Sequence, residues 1–155
     1  MGNVTAIVLH HTVTAKDATR DDILAMHKAR GFRDVGYHWL IRDAEQVEII
    51  AGRPTDGDGS LDPWEYGAHS KGENSHTIGV SMMGNYSISP PSPNLWVNTV
   101  TWISKLCQQY NLPSSAVKGH REMPGAATEC PGTFIDLDLL RAAVSEVLGE
   151  TDANA

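Results

Sequence analysis

The sequence predicts a single α/β domain, and three observations carry that expectation. Its 155 residues match the size of one domain, which buries roughly 68–70% of its unfolded surface and needs no disulfide framework. Short apolar, β-branched runs are interleaved with longer segments of helical period. No internal repeat, low-complexity tract or charge block divides the chain. The expected domain runs over residues 1–149, with 150–155 as a frayed tail.

Val4-Thr5-Ala6-Ile7-Val8-Leu9 is apolar and β-branched throughout, as suits a strand buried on both faces. It runs straight into His10-His11, so these histidines sit at a strand's end. Thr19 is placed to cap a helix over residues 20–30, with Asp21 and Asp22 in the first turn and Lys28, Arg30 and Gly31 at the end. Residues 37–41 and 46–50 flank the polar turn Arg42-Asp43-Ala44-Glu45 and read as an antiparallel hairpin. From Gly52 to Gly67 the chain is rich in Gly, Pro and Asp and has no apolar period, which predicts a long surface loop. Thr77 to Met83 is a further strand. Leu95, Val97, Val100, Ile103, Leu106 and Cys107 form a helical stripe over 94–110, and Ile135 to Leu148 forms the last helix, capped by Asp136 and stopped by Gly149.

The composition excludes several functions. A hydrophobic fraction of 41% is ordinary for a folded globular protein, which argues against disorder. Twelve Lys+Arg against 19 Asp+Glu give a net charge of −7, a balance that repels phosphate backbones and predicts no nucleic-acid binding. No apolar stretch approaches the roughly 18–20 residues of a membrane span, so no membrane insertion is expected. The N-terminal residues lack a cationic segment and a long apolar segment, so no signal peptide is read there.

Seven histidines are the main source of chemistry. His27 falls inside a helix and His38 on a strand, where packing accounts for them. His10, His120 and Cys130 differ, because each stands where a regular segment gives way to a turn. Two imidazoles and a thiolate suit tetrahedral zinc, and three protein ligands leave the fourth position free for water. Two other readings of the same residues stay open: Cys130 as a core thiol or partner of Cys107, and Cys130 as the nucleophile of a cysteine hydrolase with His120 or His10 as its base.

Four blocks extend this reading: Ile7-Val8-Leu9-His10-His11-Thr12; Asp34-Val35-Gly36-Tyr37-His38-Trp39-Leu40-Ile41; Gly67-Ala68-His69-Ser70-Lys71-Gly72 with Ser75-His76-Thr77-Ile78-Gly79-Val80; and Gly119-His120-Arg121-Glu122 with Thr128-Glu129-Cys130-Pro131-Gly132. In this order they resemble the zinc-dependent N-acetylmuramoyl-L-alanine amidases, a family that includes phage amidase lysozymes and peptidoglycan-recognition proteins. The resemblance implies a central mixed β-sheet flanked by α-helices, with an open cleft holding one Zn2+ per chain. It implies His10, His120 and Cys130 as metal ligands, His11 as a packed neighbour, and Tyr37 as the group that hydrogen-bonds the oxyanion on the scissile carbonyl. Thr128 falls where some phage members carry lysine; a hydroxyl donates only a neutral hydrogen bond, so more of the burden falls on zinc and Tyr37. The spacing from His120 to Cys130 is two residues longer than in phage lysozymes, which implies a loop adjustment. His69, Asn74 and Thr77 are expected to touch substrate, and Glu122 to form an ion pair with Arg121.

The implied activity is hydrolysis of the amide between N-acetylmuramic acid and the L-alanine of the stem peptide. Zinc would lower the pKa of a water and polarise the carbonyl while Tyr37 and Thr128 stabilise the oxyanion. The expected partner is peptidoglycan and the expected state a monomer. The implied setting is a bacteriolytic phage endolysin, made in the host cytoplasm and released to the wall by a holin. A noncatalytic peptidoglycan-binding module is the alternative in which the groove serves recognition alone.

Overall fold

The computed structural model describes residues 2–150. Five strands form one mixed sheet: β1 (Ala6–His11), β2 (Trp39–Arg42), β3 (Glu48–Ala51), β4 (Thr77–Met82) and β5 (Val117–Gly119), in the order β3-β2-β4-β1-β5. β1 runs parallel to both β4 and β5, β2 runs parallel to β4, and the β2–β3 hairpin is antiparallel. Three helices flank the sheet: α1 (Arg20–Ala29), α2 (Pro93–Tyr110) and α3 (Leu137–Leu148). This is the α/β fold with a central mixed sheet that the resemblance implies. No helix among the described residues is long and apolar enough to cross a membrane.

The helix ends follow the expected capping chemistry. The Thr19 hydroxyl accepts from the Asp22 N–H while the Asp22 carboxylate accepts from the Thr19 N–H, a reciprocal cap that satisfies two N–H groups at the helix start. Asp136 caps α3, and Gly149 ends it in the left-handed conformation. Glu150, expected in the tail, is tied down: its carboxylate accepts from the Ser114 N–H at 2.8 Å. The remaining tail residues, 151–155, lie outside the described residues.

The two faces of the sheet are covered unequally, and this makes room for a site. Ile7, Leu9, Ile78, Val80 and Met82 pack with Leu95, Ile103 and Leu106 of α2 and with Leu140 and Val144 of α3 in the main core. Ile23 of α1 packs with Val35, Leu40 and Met83 in a smaller second cluster. Successive strand residues point to opposite faces, so His10 and His11 separate. His11 joins Tyr86 of the main core, accepting the Tyr86 N–H at Nδ1 (3.0 Å). His10 faces the other side, next to the α1 cluster.

One expectation is refined and one corrected. The stretch from Gly52 to Gly67 is a long loop, as expected, but an ordered one: it contains a 3-10 turn at Pro63–Glu65 and folds around the fully buried Glu65. The Glu65 carboxylate accepts the N–H groups of Asp56 (2.7 Å) and Asp62 (2.9 Å), and the buried Arg53 donates to the Val35 and Tyr66 carbonyls. Glu122 pairs with Arg141, at 2.8 and 3.1 Å, and not with Arg121. Arg121 instead donates to the carbonyls of Glu129, Gly132 and Ile135 and so shapes the segment that ends in Cys130.

Candidate metal centre

Strand register brings the first two candidate ligands together. β1 and β5 pair in parallel with Leu9 opposite Gly119, so the residues that follow, His10 and His120, emerge side by side with ring centroids 4.6 Å apart. The third arrives on a turn: the Arg121 N–H donates to the Cys130 carbonyl at 2.8 Å and closes the excursion between His120 and Cys130. Gly125 takes a φ of +77° inside that excursion, a left-handed turn that favours glycine. One ligand atom each from His10, His120 and Cys130 lies within 4.8 Å of the others. Cys130 Sγ is 3.6 Å from His10 Nδ1 and accepts the His11 N–H at 3.3 Å.

The electrostatics suit a cation. Burial, helped by the neighbouring histidines, holds His10 well below its usual pKa, and burial lowers His120 as well, so both imidazoles are neutral ligands at neutral pH. Burial pushes the Cys130 thiol up to about 12. The His11 N–H and the Arg121 charge offset this only in part, so a thiolate forms here only where a divalent cation displaces the proton. The pairing with Cys107 does not occur: both cysteines are free, and Cys107 sits in the α2 core. The donor set, the spacing and the neutral imidazoles all fit zinc.

Tyr37 precedes β2 and leans over the cluster, its ring 5.0 Å from that of His10. Burial, with the neighbouring Cys130, raises its phenol to about 12, so it is a proton donor throughout the physiological range. Ser81, opposite His10 on β4, lies fully buried with an Oγ that lacks a well-formed hydrogen bond. It is nonetheless close enough to the Tyr37 phenol to oppose the rise in its pKa. Thr128 is exposed; its Oγ1 accepts the Cys130 N–H at 3.1 Å, which leaves the hydroxyl hydrogen free to donate. Thr128 and Cys130 line a pocket of about 250 Å³ together with Val13, Asn85 and Ser87.

The structure places His69, Asn74 and Thr77 together behind the cluster. His69 is 7% exposed and stands behind His10, with its Nδ1 2.8 Å from His10 Nε2. Asn74 Oδ1 accepts the N–H groups of His69 and Ser70, both at 3.0 Å, and Thr77 is fully buried at the start of β4. His27 and His38 are buried too: His27 Nδ1 accepts the Gly36 N–H, while His38 accepts the Gly79 N–H and donates to the Glu65 carbonyl. Sequence reasoning missed the contact between His69 and His10. Its signal was Gly79, a glycine in mid-strand, where a Cβ would lie 2.7 Å from the His69 ring.

Comparison with known proteins agrees with this geometry. Residues 1–133 match the N-acetylmuramoyl-L-alanine amidase family profile. Peptidoglycan-recognition protein SC1a of Drosophila melanogaster is 30% identical over 137 residues, covering 83% of this chain and 68% of the relative. The endolysin of Enterobacteria phage K11 is 30% identical over 113 residues, 71% of this chain and 67% of the relative. Among solved structures, the N-acetylmuramoyl-L-alanine amidase LysC from Clostridium intestinale superposes with a TM-score of 0.76 at 29% identity, covering 91% of this chain and 85% of that one. With two histidines and a cysteine converging beside a tyrosine on the open face of a mixed sheet, the chain belongs to the N-acetylmuramoyl-L-alanine amidase family.

Proposed function

We propose that this chain is a zinc-dependent hydrolase that cleaves the amide between the lactyl group of N-acetylmuramic acid and L-alanine in peptidoglycan. The observation that carries the reading is the convergence of His10, His120 and Cys130 ligand atoms within 4.8 Å, beside the protonated phenol of Tyr37. His10, His120 and Cys130 would hold the zinc ion, which would supply Lewis acidity for the scissile carbonyl and for a water. The chain's own groups do the rest. Tyr37 donates its phenolic hydrogen to the oxyanion, and Thr128 donates a second, neutral hydrogen bond from the rim. The endolysin and amidase relatives support a role at the cell wall, and the phage endolysin setting with holin-type release is the form of that role proposed here.

A cysteine hydrolase is disfavoured by the Cys130 thiol itself, because a nucleophilic cysteine requires a lowered pKa and this one is raised. A purely binding role leaves the complete ligand set without a purpose. The test is digestion of purified peptidoglycan: new N-terminal alanine without new reducing sugar ends supports the amidase. Retention on the wall without released amino groups would leave only binding.

A further inference from the structure

The Nδ1 nitrogen of His10 faces Cys130 while its Nε2 faces His69, so a metal can be held only if the proton sits on Nε2. A chain of hydrogen bonds decides where that proton sits, and it starts at a backbone carbonyl. Thr77 Oγ1 lies 2.7 Å from the Glu73 carbonyl oxygen, which only accepts, so the hydroxyl hydrogen is spent there. His69 Nε2 lies 3.2 Å from that same Thr77 Oγ1 and 3.4 Å from the Thr77 carbonyl. Facing two acceptors, Nε2 of His69 carries the hydrogen. In a neutral imidazole the other nitrogen then has only a lone pair, so His69 Nδ1 accepts, and His10 Nε2, 2.8 Å away, donates to it. His10 Nδ1 is left with its lone pair directed at the metal cluster.

From this geometry we infer that His69 and Thr77 are positioning residues that fix the tautomer and ring orientation of His10 as a metal ligand. The inference rests on the zinc reading above and assigns His69 and Thr77 to holding a ligand in place of contacting substrate. The packing supports it independently. The His69 ring lies between Gly67 and Gly79, where a Cβ at either position would come within 2.7 Å of a ring carbon. Asn74 fastens the backbone at His69 and Ser70. A loop built to present a side chain to substrate does not need a slot of this fit for its ring. Hydrogen bonds to the far nitrogen of a ligating histidine raise its basicity and set its orientation, and their loss weakens metal affinity about 10–100-fold.

The tests are two. Long-range 15N–1H NMR on the zinc-free, full-length chain reads the tautomer directly: His10 is expected with its proton on Nε2, and His69 likewise. A His10 proton on Nδ1 would overturn the inference whether or not the chain binds zinc. Competition with a chromophoric chelator then reads zinc affinity. Thr77→Val, which keeps the side-chain shape and removes the hydroxyl acceptor while leaving the Thr77 carbonyl, is expected to weaken it by about 10-fold or more, and Thr77→Ser to restore it. Unchanged zinc affinity in a folded Thr77→Val protein would reject the positioning role. If the wild-type chain binds no zinc, the zinc reading fails while the tautomer measurement still decides the hydrogen-bond chain.

Discussion

Leu9 of β1 lies opposite Gly119 of β5 in a parallel pair, and that single register places His10 beside His120. The two are 110 residues apart in sequence, yet neither needs a dedicated loop to reach the other. Cys130 completes the cluster because the Arg121 N–H and the Cys130 carbonyl close the intervening segment. The centre is therefore anchored on two strands and one pinned turn, which holds ligands more tightly than loops would.

Cys130→Ser is expected to lose zinc and activity together, since an alcohol does not replace a thiolate in a three-ligand site. Elemental analysis of the purified variant checks the first and peptidoglycan digestion the second. A zinc-free variant with wild-type turnover would remove the metal from the mechanism.

Tyr37→Phe is expected to keep its zinc and lose turnover by about 100-fold or more, the usual effect of deleting one oxyanion donor. The phenol is protonated at neutral pH, so the loss should be equal at pH 6 and pH 8. Full activity in a zinc-loaded Tyr37→Phe protein would exclude the oxyanion role.

Thr128→Ala should fall between these extremes, at about 10-fold, the value of one neutral hydrogen bond of about 1.4 kcal/mol. Thr128→Lys tests the same position with a charge. If the rim donor matters, lysine equals or exceeds threonine in kcat, and a rate below that of alanine contradicts the assignment.

Stability should fall as the solution is acidified from pH 6.5 toward pH 4. His38 is fully buried, and burial lowers its pKa from the usual 6.5 to about 4. Between these values the unfolded chain takes up a proton that the folded chain refuses, so unfolding becomes easier with each unit of acidification. Above 6.5 both states are neutral and the contribution is constant. The slope is up to about 1.4 kcal/mol per pH unit from this group. Urea unfolding of the wild type and His38→Gln across that range measures it, and identical slopes would show that His38 is not the group responsible.

Most of the fold was legible because strands and helices announce themselves locally. Thr19, Asp136 and Gly149 are the observed caps, and the apolar runs at Ala6–His11 and Thr77–Met82 are the two buried central strands. β5 escaped because three residues, Val117–Gly119, carry no period to read. Glu65 and Arg53 escaped for a different reason: charged residues among Gly, Pro and Asp read as solvated, and only the tertiary hydrogen bonds that satisfy them explain their burial. For the candidate site, the three residues that converge were legible in the sequence but one relationship was not. Family likeness assigned His69, Asn74 and Thr77 to substrate, while the mid-strand Gly79 opens the space in which His69 meets His10.

The central claim is a zinc ion on His10, His120 and Cys130, and metal content read against wall digestion tests it most directly. The account predicts about one zinc per chain in the wild type, loss of that zinc in His10→Ala, His120→Ala and Cys130→Ser, and release of N-terminal alanine that stops on chelation and returns on adding zinc. Undiminished release from rigorously zinc-free protein would contradict it.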